Sequence, residues 1–124
     1  GPNFYFPTVL TNVPQSAKVA SEETFGPLCA IIPFDTLEQV VSYANDTSLG
    51  LASYVFSKNI DTIYTVAEAL ESGMVSCNTG LFSDCAIPFG GVKESGFGRE
   101  GSLHGIEDYT VIKTITIGGL PNSL

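Results

Sequence analysis

The sequence predicts an α/β fold, ordered β-α-β-α-β with parallel strands. Three runs of strand length, at 28–34, 51–57 and 74–78, alternate with two stretches that carry apolar residues at helical spacing. Alternation of this kind pairs strands in parallel through right-handed helical crossovers. At 124 residues the chain has room for one domain, and 44% hydrophobic against 15% charged residues exclude a disordered chain.

Taken in order, residues 4–13 are aromatic and β-branched and read as an extended segment broken at Pro7. Residues 17–22 suit one short helical turn. The run 28–34 is continuously apolar, which predicts a strand buried on both faces, with Cys29 inside it. A helix begins at Thr36, with Asp35 as the expected N-cap and Glu38 three residues later as its capping-box partner. Leu37, Val40, Val41 and Ala44 share one face of it, and 45–50 ends it. After the strand at 51–57, Asn59 or Asp61 caps a second helix over 60–71, striped by Ile63, Val66, Ala67 and Leu70, with Gly73 at C′. The third strand, 74–78, contains Cys77. Gly80, Gly90, Gly91, Gly96 and Gly98, with Pro88, then mark a long loop, and loops of that length usually bind or clamp something. A short helix is expected over 102–106. Beyond it, Tyr109, Val111, Lys113, Ile115 and Ile117 alternate with Thr110, Ile112, Thr114 and Thr116, a long strand over 109–117 whose partner is not evident in this chain.

Charge and cysteine usage narrow the function. Acidic residues outnumber basic ones 13 to 5, for a net charge of -8, and the five cations form no stripe. Such a surface repels phosphate backbones and anionic lipid, so no nucleic acid and no membrane is expected as a partner. No apolar run approaches the ~20 residues of a spanning helix, and no signal peptide is visible. Three cysteines without a CxxC pair argue against a disulfide framework or zinc knuckle and suit a reducing compartment. With a single histidine, His104, no multi-histidine metal site can be built.

Two clusters could carry chemistry. Glu22-Glu23-Thr24-Phe25-Gly26-Pro27 places paired carboxylates before an aromatic ring and a tight turn. A carboxylate can accept ribose hydroxyls and a ring can cover a flat heterocycle, but a solvated acidic turn with Phe25 as a core plug is the commoner outcome. The glycine-rich stretch 88–100 lacks a P-loop GxxxxGK[ST], and its lone Gly96-Phe97-Gly98 lacks the third glycine of a dinucleotide fingerprint. On bare chemistry it reads as a structural loop. Cys85, in that loop, is the one thiol with expected exposure, and its only possible histidine partner is His104. A catalytic role for either is the weaker reading.

The two clusters in this order carry a resemblance. Glu22-Glu23-Thr24-Phe25-Gly26-Pro27, followed by Pro88-Phe89-Gly90-Gly91-x-Lys93-x-Ser95-Gly96-x-Gly98-Arg99-Glu100, resembles the C-terminal part of an aldehyde dehydrogenase. Asn78-Thr79-Gly80-Leu81-x-Ser83 and the stretch from Gly98 to Tyr109 most resemble succinate-semialdehyde dehydrogenases. The resemblance implies that residues 1–108 are the C-terminal portion of the catalytic domain and 109–124 an oligomerisation strand and tail. It implies NAD or NADP as cofactor, a small aldehyde as substrate, a homo-oligomer built through Tyr109 to Ile117, and a cytoplasmic or mitochondrial location. In that family the nucleophilic cysteine, the general base and the cofactor domain precede the Glu-Glu-Thr-Phe-Gly-Pro motif. The chain is therefore expected to supply no catalytic residue and to be inactive alone; a non-catalytic scaffold or protein-binding piece is the alternative.

Residue by residue, the resemblance assigns Glu23 to the nicotinamide ribose and Phe25 to the neighbourhood of the nicotinamide ring. Phe82 and Phe89 line the substrate channel. Ser83 hydrogen-bonds the distal carboxylate of succinate semialdehyde, beside arginines supplied elsewhere. A carboxylate aimed into that pocket would repel the substrate, so Asp84 is expected to point away.

Overall fold

The computed structural model describes residues 3–81 and 83–119. Its elements are β1 (Thr8–Leu10), α1 (Lys18–Ser21), β2 (Leu28–Ala30), α2 (Leu37–Asn45), β3 (Leu49–Gly50), β4 (Ala52–Val55), α3 (Ile60–Ala69), β5 (Met74–Cys77), β6 (Val92–Lys93) and a 3₁₀ helix over His104–Tyr109. The parallel pairing expected of the alternation is present twice: β1 with β2, joined across α1, and β4 with β5, joined across α3. β2 pairs backward to β1 rather than onward to β4. The antiparallel pair β3–β6 was not expected, because each strand has only two residues and no periodicity to announce it.

Both main helices are capped, one of them a residue away from expectation. Thr36, not Asp35, is the N-cap of α2: its hydroxyl accepts the Gln39 amide at 3.2 Å, and the Gln39 side chain reaches back to the Asp35 amide. The box is thus Thr36 with Gln39, while Glu38 occupies the first turn. There its own backbone N–H and then the Thr36 hydroxyl hold the Glu38 carboxyl below its usual value. Asn59 caps α3 by accepting from the amides of Asp61 and Thr62.

The C-terminal ends of the two helices are tied by polar contacts. Asn45 donates to the Ala69 carbonyl and accepts from the Glu71 amide, both at 2.8 Å. Lys93 donates to the carbonyls of Asn45 and Thr47 and pairs with Glu71 at 2.6 Å. A lysine at the end of α2 suits the partial negative charge of the helix terminus.

The core is thin. Val13, Val55, Val66 and Met74 are the buried apolar side chains among the described residues, joined by Ser76, whose hydroxyl donates to the Thr79 carbonyl. The expectation of a doubly buried strand at 28–34 fails. The strand stops at Ala30, its residues alternate between half-buried and exposed, and Cys29 is exposed. None of the six residues of the β1–β2 pair is fully buried. The accessible surface is 10161 Å², whereas a compact monomer of 13.1 kDa exposes about 6,400 Å². The apolar periodicity of this sequence thus specifies more burial than these residues supply to one another.

The strand expected over 109–117 is also absent. Tyr109 ends the 3₁₀ helix, and the following residues run without a ladder partner among the described residues, with Val111, Ile112, Ile115 and Ile117 largely exposed. A strand is defined by the neighbour that satisfies its amides and carbonyls, and none is at hand for this segment.

Candidate functional site

Two separate hollows hold Glu23 and Phe89, two of the residues singled out from the sequence. The first lies where α1 gives way to the turn before β2. Glu22 caps α1 in extended conformation, and the Leu28 amide closes a tight turn on the Gly26 carbonyl at 2.8 Å. Between them Glu22, Glu23 and Thr24 line a cavity of about 290 Å³, whose far wall includes Leu28, Thr47 and Leu49. Glu22 is spent on Lys18, at 3.8 Å. Glu23 has no hydrogen-bond or ion-pair partner among the described residues. Phe25 is 93% exposed, so it is no core plug. An unpaired carboxylate at the mouth of a hollow beside an uncovered ring suits a ribose carrying a flat heterocycle. These residues therefore fit the nicotinamide end of a dinucleotide.

The second hollow, about 570 Å³, is built by the glycine-rich loop folding back on itself. Phe89 and Glu100 exchange backbone hydrogen bonds at 2.8 and 2.7 Å, forming an isolated antiparallel bridge. Arg99 is half-buried, and its guanidinium donates to the carbonyls of Gly91 and Gly98, each at 2.8 Å. Ser95 anchors the loop to β3 by accepting the Gly50 amide at 2.9 Å. Phe89 lines this cavity with Phe97, Arg99 and Tyr109. The cavity shares no lining residue with the hollow at Glu23.

Ser83 is exposed and borders neither hollow, and Phe82 lies outside the described residues. Asp84 folds its carboxylate onto its own turn, where Oδ1 accepts the Ala86 amide at 2.8 Å. The segment after Ser83 is held by the Ser102 amide, which donates to the Cys85 carbonyl at 2.8 Å. Cys85 is exposed, but no hydrogen bond joins it to His104, whose Nδ1 instead lies 3.7 Å from Glu107. Among the described residues no cluster could hold a metal ion, and no helix is long and apolar enough to cross a membrane. Sequence reasoning missed the use of Arg99, and of Asp108, whose Oδ2 accepts the Arg99 amide at 2.7 Å. The glycine density flagged the loop, but an arginine consumed by carbonyls leaves no spacing signature.

The two motifs, the parallel pairs and the folded glycine-rich loop define one class of protein. Residues 1–115 match the aldehyde dehydrogenase family, and the chain belongs to it. The chain is 76% identical over its full length to the succinate-semialdehyde dehydrogenase [NADP(+)] of Saccharomyces cerevisiae, covering 25% of that protein. It is 53% identical over 115 residues to the glutarate-semialdehyde dehydrogenase of Pseudomonas putida, covering 24% of it. The crystal structure of succinate-semialdehyde dehydrogenase from Burkholderia pseudomallei superposes with a TM-score of 0.86 at 57% identity, over 91% of this chain and 23% of that one. The chain thus spans about a quarter of the length of the curated relatives it matches.

Proposed function

We propose that this chain is the C-terminal portion of the catalytic domain of an NADP- or NAD-dependent succinate-semialdehyde dehydrogenase. The observation that carries the reading is the 76% identity to a succinate-semialdehyde dehydrogenase [NADP(+)] over all 124 residues. The cofactor, when bound, accepts the hydride that the aldehyde carbon gives up. The chain's own residues hold and orient. Glu23 accepts hydroxyls of the nicotinamide ribose and Phe25 shields the ring. Phe82 and Phe89 wall the aldehyde channel and keep water from it. Ser83 donates to the far carboxylate of the substrate, a charge-assisted bond that selects for a second anionic group. Relatives named for succinate and glutarate semialdehydes support a substrate of that kind. Fixing two reactants in this way can remove several kcal/mol from a barrier without any group of this chain reacting.

The uncovered surface supports the same reading, since it leaves room for the rest of a larger enzyme. It equally favours a second one, a non-catalytic piece that binds another protein. Activity separates them. A longer protein containing this chain is expected to reduce NADP⁺ or NAD⁺ with succinate semialdehyde, faster than with an uncharged aldehyde of similar length, and the 124-residue chain alone to be inactive. A longer protein that turns over neither aldehyde, or an active isolated chain, overturns the proposal.

A further inference from the structure

The glycine-rich loop holds Phe89 through a relay of backbone contacts that ends on one carboxylate. Phe89 is bridged to Glu100 at 2.8 and 2.7 Å, and the residue before Glu100, Arg99, donates its amide to Asp108 Oδ2 at 2.7 Å. The same carboxylate packs on the bare backbone of Gly98, which has φ of +80° and whose missing Cβ would run into it. On the other side, Gly90 meets the strip with no room to spare, since a Cβ there would lie 2.6 Å from the Gly98 carbonyl. The Arg99 guanidinium, turned to Gly91 and Gly98, forms no ion pair with Asp108. The carboxylate is therefore used to fix a backbone amide rather than to neutralise a charge. A short, charge-assisted bond from a neighbouring helix is a stiff stop for the strip it touches.

We propose that Asp108 is a positioning residue, which sets the place of Phe89 in the second hollow by stopping the strip from Gly98 to Glu100. The inference rests on the reading of Phe89 as a wall of the aldehyde channel. It makes the 3₁₀ helix a determinant of aldehyde fit through Phe89, beside the Asp108 and Tyr109 side chains that line the same hollow.

The test uses the whole enzyme that contains this chain. Asp108→Ala is expected to raise KM for succinate semialdehyde about tenfold, the loss of one charged acceptor, while kcat and the KM for NADP⁺ stay within about twofold. Asp108→Asn, which keeps an acceptor oxygen, should restore most of the aldehyde KM. In a Phe89→Ala background Asp108→Ala should change the aldehyde KM by less than about twofold, because contacting residues in one relay are not additive. If Asp108→Ala does not fold, Gly98→Ala, which pushes a Cβ at the same carboxylate, and Asp108→Asn carry the measurement. Should Phe89→Ala raise the aldehyde KM while the Asp108 and Gly98 variants leave it unchanged, or move both KM values alike, the positioning role is wrong. If Phe89→Ala itself leaves that KM unchanged, the channel reading falls and this inference with it.

Discussion

The side chain of Asn78 exchanges two hydrogen bonds with the backbone of Ser57: Oδ1 accepts the Ser57 amide at 2.9 Å and Nδ2 donates to the Ser57 carbonyl at 2.8 Å. Its own amide donates to the Val55 carbonyl. The carboxamide thus adds a rung to the β4–β5 ladder after the backbone has left it, because Asn78 sits at φ of 55°. Asparagine tolerates that left-handed conformation better than other side chains. The turn it makes launches the segment that carries Ser83.

Asn78→Ala should therefore destabilise the enzyme by about 2 kcal/mol, combining two modest hydrogen bonds with the strain of an alanine at positive φ. Asn78→Gly loses the bonds but not the conformation and should cost about half as much. Denaturant midpoints of the three proteins check this, and equal midpoints for Ala and Gly would remove strain from the account.

Glu23→Gln in the whole enzyme should weaken cofactor positioning about tenfold or more without unfolding the protein, since a bond to a charged acceptor contributes ~1.5–3 kcal/mol. Cofactor affinity and the rate of hydride transfer are the measurements. If both are unchanged, Glu23 is a solvated surface residue.

Ser83→Ala should raise KM for succinate semialdehyde by about fivefold or more while sparing an uncharged aldehyde of like length, because only the former loses a donor to its carboxylate. An equal rise for both would mean that Ser83 acts on the loop and not on the substrate.

The two kinds of feature differed in how far the residues announced them. α3 was legible because a 3.6-residue stripe is a local property, and its cap was narrowed to Asn59 or Asp61, of which the structure uses Asn59. The cap of α2 was misplaced by one residue because Asp35 with Glu38 and Thr36 with Gln39 both satisfy the same spacing rule. The strand at 28–34 was overextended because apolar runs record burial in the complete structure, not burial among these residues. The glycine-rich loop was visible as a loop, yet its relay from Phe89 to Asp108 was not, since it runs through backbone atoms that every sequence shares.

The exposed stretch after the 3₁₀ helix should drive association between copies. Ile115 and Ile117 are 74% and 71% exposed, and Lys113 is the one charge between Tyr109 and Ile117. An apolar extended edge with so little charge invites pairing. Ile115→Lys should shift the protein toward smaller species in light scattering. A wild-type protein that is monomeric at high concentration would rule out assembly through this segment.

Where β3, the start of β5 and the glycine-rich loop cross, three glycines leave no room for a side chain. A Cβ on Gly73 would run into the Gly90 carbonyl, one on Gly91 would lie 2.6 Å from Ser95 Cβ, and one on Gly50 would lie 2.8 Å from the Glu71 carbonyl. In genetic terms these codons have no neutral missense neighbour, since every amino-acid replacement adds at least that carbon. Alleles altered there should act through dosage. They would lower the amount of folded protein in the cell. The informative assay is the amount of folded protein beside activity, and the two should fall together.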